Sequence, residues 1–331
     1  MSAELMRLMT GFRASQAIHV AATLEIPDLL ANGPRSSDEL AEAADADPSA
    51  LYRLLRALAA LGMLEEDDER RFSLTPLGEP LRSDVPGSLH DWALLVGRPH
   101  VWRSWGHLEH SVRTGENAFR SLHGTDVWDW RAGEPEESAV FDGAMRALTG
   151  VGNSAILDAY DFGRFGTIVD VGGGNGALLA SILGAHPDAR GILFDQPHVV
   201  DKAGAVLEPV ADRAETVAGS FFESVPATGD AYVLKAIIHD WEDDEAAKIL
   251  RNCRDAMPSG AKVLVIDRIL APPNEGAEGK FSDLTMLVMP GGRERTEAEF
   301  EVLFDRAGLR LGRVAPTRSG SAVIEAVEAG A

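Results

Sequence analysis

The chain has 331 residues, 45% hydrophobic and 25% charged, with a formal net charge of −21; this is an ordinary globular composition with room for two domains, and it excludes a disordered chain. A charge of that sign repels phosphates, which argues against nucleic acid or an anionic membrane as a partner, and the single cysteine, Cys253, rules out an intramolecular disulfide and a thiolate-rich metal site. No stretch approaches the ~20 apolar residues of a membrane span, and charges interrupt the N-terminal segment before it resembles a signal peptide, so a cytoplasmic protein is expected.

Residues 1–90 read as helices followed by a small hairpin. The first helix is apolar over a wide face (Leu5, Leu8, Met9, Phe12, Ala17, Ile18, Val20, Ala21). Ser36 with Glu39 has the spacing of a capping box, and Asp47 precedes Pro48 as an N-cap should. Leu51, Leu54, Leu55, Leu58 and Leu61 then recur at helical spacing, and "EEDDERRFSLTPLG" supplies a polar turn between two short extended pieces. That is the outline of a winged helix-turn-helix. Such a unit suggests DNA binding, but residues 1–100 carry 16 acidic residues against 9 arginines and no lysine, and the would-be recognition helix offers only Arg53 and Arg56. The apolar helix is better matched by a second copy of the same chain.

Residues 91–160 read as a helical connector that holds five of the six tryptophans: Trp92, Trp102, Trp105, Trp128 and Trp130. Each fits a core position; together, beside a catalytic domain, they suit the lining of an aromatic substrate pocket. Met145 here, with Met286 and Met289 further on, adds adaptable walls.

From 161 to 331 strands alternate with helices. Strands are expected at 167–171, 190–195, 214–218, 231–238 and 262–267, with a terminal hairpin at 309–315 and 321–328. The fold class is therefore α/β, an open, mostly parallel, Rossmann-like sheet. The stretch "VDVGGGNGA" follows a strand and opens a helix, so its glycines let the backbone turn sharply against a ligand. Gly172, Gly174 and Ala177 satisfy the G-x-G-x-x-A dinucleotide pattern, which keeps an NAD enzyme open as a reading. Asp170 before the loop and Gly176 extending it to D-x-G-x-G-x-G favour S-adenosylmethionine instead. Asp170 can then receive the ammonium of a methionine-like tail. Asp195 closes the next strand, placed to accept from two ribose hydroxyls. Phe221 or Phe222 can pack on a purine face or belong to the core, and Lys235 is a cation in an apolar setting, free to meet a carboxylate or carbonyl near the cofactor or to snorkel outward.

Taken together, "VDVGGGNG", "FDQPHV", "GSFFE", "LKAIIHDWEDDEAAKILRNC", "VLVID" and "MPGGRERTEAEF" resemble, in order and spacing, the plant-type and bacterial small-molecule O-methyltransferases that use S-adenosylmethionine. The resemblance spans essentially the whole chain and implies a class I methyltransferase sheet behind a winged-helix homodimerisation domain. It implies His239 as general base, flanked by Asp267 and Glu294, and a cofactor set of Asp170, Gly172, Gly173, Gly174, Asp195, Gln196, Ser220, Phe221 and Lys235. The family often has Asp in place of Ser220 and Glu in place of Asp267, which weakens those two assignments.

The chemistry suits these residue types. A sulfonium methyl is already activated, so alignment of the acceptor oxygen is the larger task. A phenol of pKa near ~10 needs a base, and a histidine with a reference pKa near ~6.5 is neutral at pH 7 and ready to take the proton. Asp240 is a candidate for binding a second hydroxyl; Arg13 in the first helix is either an ordinary surface arginine or an anchor for an acceptor carboxylate across the dimer. No metal is expected, because no carboxylate cluster accompanies the glycine loop. The reading is O-methylation of an aromatic small molecule. Its competitors are a protein of this fold that binds the cofactor but hydroxylates or decarboxylates, an NAD dehydrogenase, and a DNA-binding regulator.

Overall fold

The computed structural model describes residues 2–330, those at 148–151 by their backbone alone. The chain divides into two compact units, Met1–Gly106 with Trp128–Gly150, and His107–Val127 with Val151–Ala331. Residues 91–160 are thus shared between the two.

In the first unit the expected N-terminal helix is two helices, Ser2–Met9 and Phe12–Thr23. The capping box at Ser36 and Glu39 is formed and opens the helix Ser37–Ala43. Asp47 caps Pro48–Ala60 through the Ala50 amide. Strands β1 (Arg35–Ser36), β2 (Leu64–Glu66) and β3 (Arg71–Leu74) pair antiparallel in the order β1-β3-β2. The two-residue β1 was not evident in the sequence, since a strand that short has no periodicity. Ile26, Leu40, Leu51, Leu55, Leu58 and Phe72 form the core of this unit.

The second unit is a seven-stranded sheet of β4 (Thr167–Val171), β5 (Arg190–Asp195), β6 (Ala214–Ala218), β7 (Ala231–Lys235), β8 (Lys262–Asp267), β9 (Leu309–Pro316) and β10 (Ala322–Glu328). Their order is β6-β5-β4-β7-β8-β10-β9. The first five run parallel, and β10 is antiparallel to both its neighbours. Both faces are covered, so the parallel strands read as near-continuous apolar runs. One core holds Val169, Val171, Phe194, Leu234, Val263 and Val265 under the helices Asp243–Ala256 and Glu297–Arg306. The other holds Ile168, Leu193, Val233, Leu264 and Ile266 under Ala177–Ala185. Cys253 is buried in the first core, where burial pushes its thiol up to about 12, so it is a packing residue.

Period-two alternation then decides where the strand-end acids point. In β4, Asp170 follows Val169 and so faces the Ile168 side; in β8, Asp267 follows Ile266 and faces the Val265 side. The fourth parallel strand is shorter than expected. It ends at Lys235 because Ala236 adopts a left-handed backbone (φ +53), and a short 3-10 turn, Ile238–Asp240, carries the chain on to the helix starting at Asp243. His239 therefore sits on a turn beyond the strand end, and the helix begins later than Asp240 and Trp241.

Candidate active site

The parallel strands β4, β5, β7 and β8 all end on one edge, where an open α/β sheet presents ligand sites. Gly172, Gly174 and Gly176 take φ values of +69, +60 and +80, a conformation that side chains resist. A Cβ on Gly172 would lie 2.6 Å from Ile237 and one on Gly173 would lie 2.5 Å from Leu193, whereas Gly174 borders open space. This is a bare-backbone cradle. The Gly174 amide donates to Asp195 Oδ2 (2.9 Å) and the Gln196 amide to Oδ1 (2.6 Å), which fixes that carboxylate at the strand end. Asp170 is 1% exposed, and neither of its oxygens has a hydrogen-bond partner. Burial lifts its carboxyl to about 7 against the pull of Lys235. An orphaned buried carboxylate under a glycine cradle is what an ammonium-bearing ligand would satisfy. The residues present fit the methionine end of S-adenosylmethionine.

Lys235 Nζ donates to the side chain of Asn153 at 3.1 Å, and Asn153 in turn donates to Ser181 (3.3 Å). Burial holds Lys235 below the usual lysine range, opposed by Asp170. Phe221 lies against Gly172 and stacks edge-on with Phe222 and Trp241. Ser220 Oγ accepts from the Phe222 amide (3.3 Å).

The structure brings together the three residues of the expected catalytic group. His239 Nδ1 donates to Glu294 Oε1 at 3.2 Å and lies 3.9 Å from Asp267 Oδ1, while Nε2 is 3.6 Å from Asp240 Oδ1. The side chains of Asp267 and Glu294 are fully buried and that of His239 is 19% exposed. Burial opposes charge on the ring, but Asp267, Asp240 and Glu294 outweigh it, and the imidazole pKa is pushed up to about 10. This corrects the expectation of a neutral ring at pH 7. The same burial raises Asp267 to about 7, whereas Glu294, also opposed by burial, is held below the usual carboxylate range by its bond from His239.

Of the acceptor candidates, Arg13, Trp102 and Met145 lie in the first unit and Asp240, Met286 and Met289 in the second. Arg13 is on the helix Phe12–Thr23, its guanidinium 5.8 Å from the Phe12 ring, and Phe12 meets Trp102 edge-on at 6.4 Å. Met289 is 5% exposed.

Several site residues escaped the sequence reading. Ser282 donates to Glu294 Oε1 (2.7 Å), and Asp283 accepts from the Glu294 amide (2.9 Å). Gly292 lies so close to the His239 turn that a Cβ would stand 2.2 Å from the His239 carbonyl. Arg295, 1% exposed, reaches the carbonyls of Ile238 and Trp241. Gly292 and Arg295 sit in the "GGRERT" that was read only for its glutamate; their signal was a glycine pair and a buried-type arginine flanking a functional acid.

A glycine cradle at the parallel strand ends, with a histidine–carboxylate group beyond it, defines a class I methyltransferase. The chain belongs to the O-methyltransferase family: the model of the O-methyltransferase domain matches residues 105–310 and that of the O-methyltransferase dimerisation domain residues 6–84. It is 43% identical to a phenazine O-methyltransferase of Lysobacter antibioticus over 98% of this chain and 96% of that protein, and 43% identical to the O-demethylpuromycin-O-methyltransferase of Streptomyces alboniger over 94% and 84%. Among solved structures, an O-methyltransferase of neocarzinostatin biosynthesis in complex with S-adenosylmethionine and 2-hydroxy-5-methyl naphthoic acid superposes with a TM-score of 0.85 at 36% identity, covering 98% of each chain. Among the described residues no helix is long and apolar enough to cross a membrane.

Proposed function

We propose that this chain transfers a methyl group from S-adenosylmethionine to a hydroxyl of a flat aromatic small molecule, with His239 Nε2 as proton acceptor. The observation that carries the reading is the His239 ring, tied through Nδ1 to Glu294 and leaving Nε2 beside Asp240.

The cofactor supplies a methyl already activated on sulfur. Asp170, the backbone at Gly172, Gly173 and Gly174, Asp195 with Gln196, Ser220, Phe221 and Lys235 are the residues that would hold it. The acceptor hydroxyl would give its proton to Nε2 while its oxygen takes the methyl carbon, the carbon–sulfur bond breaking so that S-adenosylhomocysteine leaves; the ring would later return the proton to solvent. A ring with an ordinary pKa near ~6.5 would take a proton from a phenol near ~10 at a cost of about 5 kcal/mol. The three carboxylates around His239 narrow that gap, but they also keep the ring protonated at neutral pH, so only the deprotonated fraction accepts the proton and turnover should rise with pH toward about 10. Glu294 and Asp267 stabilise the imidazolium, as orienting acids do in other histidine sites. Asp240 would bind a second donor on the acceptor, and Arg13 an acceptor carboxylate.

In this reading residues 1–90 serve assembly, 91–160 line the acceptor site, for which Trp102, Met145, Met286 and Met289 are the candidates, and 161–331 bind the cofactor. The protein works as a homodimer through its N-terminal helices and resides in the cytoplasm. A mass-spectrometric screen of hydroxylated aromatics with S-adenosylmethionine tests the function; products gaining oxygen or losing carbon dioxide in place of a methyl group would refute it. Because one family relative is named as an N,N-dimethyltransferase acting on 8-amino-8-demethylriboflavin, the screen includes aromatic amines, and methylation of these alone would replace the hydroxyl acceptor.

A further inference from the structure

Arg295 is 1% exposed, and every one of its five N–H donors is used. Nη1 donates to the carbonyls of Ile238 (3.1 Å) and Arg293 (3.3 Å). Nη2 donates to the Trp241 carbonyl (2.9 Å) and to Asp243 Oδ1 (2.8 Å), and Nε donates to the same Asp243 oxygen (3.2 Å). The Ile238 and Trp241 carbonyls bracket His239. The backbone bonds closing its turn are long: Asp240 N to Ile237 O at 3.2 Å and Trp241 N to Ile238 O at 3.3 Å. Arg295 is also bridged to Ile269, two residues past Asp267, its carbonyl accepting from the Leu270 amide (2.9 Å), and it is the chain neighbour of Glu294. One residue therefore ties together the three segments that deliver His239, Asp267 and Glu294.

We infer that Arg295 is a positioning residue: its guanidinium fixes the 238–241 turn so that the His239 ring is held between Glu294 and Asp267 with Nε2 free for the acceptor. A lysine cannot substitute, because a single ammonium does not reach two carbonyls three residues apart and a carboxylate from one planar fork. A purely structural arginine would need only its ion pair with Asp243 at the start of the following helix. The two carbonyl bonds around His239 are what that role leaves unexplained.

The inference rests on the reading of His239 as base, and its test separates the two. In the full-length protein, Arg295→Lys should keep its affinity for S-adenosylhomocysteine within about threefold and its acceptor KM nearly unchanged, while kcat falls about 10²-fold, the scale of a displaced reacting group. The His239 ring titration, followed by NMR on histidine-labelled protein, should move down toward an ordinary histidine as the ring leaves the carboxylates of Glu294, Asp267 and Asp240. Asp243→Asn, which weakens one end of the clamp on an accessible helix start, should move the titration the same way by less, and it carries the test if Arg295→Lys does not fold. An unshifted ring titration in the variant studied, or product-complex affinity and kcat falling in equal proportion, would overturn the inference. Full turnover in His239→Ala would refute the base reading yet leave the ring titration still able to judge the clamp.

Discussion

At the scale of single residues, the site concentrates three carboxylates on one imidazole, and the consequences are measurable. His239→Ala should leave cofactor affinity nearly unchanged and lower turnover by roughly two to four orders of magnitude. The variant's residual rate should then rise with pH along the acceptor's own ionisation, since solution phenolate replaces what the base would make. Wild-type turnover in the variant at neutral pH would mean that alignment alone drives transfer. The ring also links stability to pH. Its folded pKa, raised to about 10, lies above the ordinary value near ~6.5, so its stabilising contribution is complete below ~6.5 and disappears as pH rises through 10. The melting-temperature deficit of His239→Asn should therefore be largest at mildly acidic pH and shrink toward pH 10; a constant deficit contradicts this. His239, Asp267 and Glu294 could be named together from the sequence only through the family resemblance, and the structure brings the three side chains together. Their charge states were not legible, because protonation depends on a spacing that only the folded chain sets.

At the scale of elements, two loops meet through an absence of side chain. The "GGRERT" loop can lie against the His239 turn only because Gly292 has no Cβ; its neighbours there are the backbone of His239 and Asp240, which cannot swing aside. Gly292→Ala should cost about 1–3 kcal/mol of stability, as overpacking does, and lower kcat by moving the turn. Thermal melts and initial rates check both parts, and an unchanged melting temperature would show that the loop yields freely. Thr296→Ala removes the formed capping box with Glu299 at the helix Glu297–Arg306 and should cost ~1 kcal/mol. Caps were readable because they depend on residues three apart. The early end of β7 was not readable: "VLKAIIHDW" is apolar enough to continue as a strand, and nothing local announces that Ala236 turns left-handed. Asn153 was unreadable for a different reason, since its partners Lys235 and Ser181 are far along the chain.

At the scale of the molecule, the mostly parallel sheet and its terminal hairpin were legible in the alternation of strands and helices, whereas the strand order was not, since it depends on pairings far apart in the chain; the first domain, set against DNA binding by its charge, matches a dimerisation domain. The helices at the chain's start leave Leu5, Leu8, Met9 and Phe12 each more than half exposed, within the segment that matches the dimerisation domain, a patch of the kind that assembly would cover. Removal of residues 1–30 should expose core and cause aggregation, and a well-behaved monomer of the full-length chain in light scattering would contradict the assembly. The patch brings together two bodies that each carry a net charge of −21. Their approach is resisted over a Debye length of ~30 Å at 0.01 M salt but only ~8 Å at 0.15 M. Low ionic strength should therefore weaken the dimer, and light scattering at 0.01 M and 0.15 M salt checks this; an unchanged mass at both would contradict it.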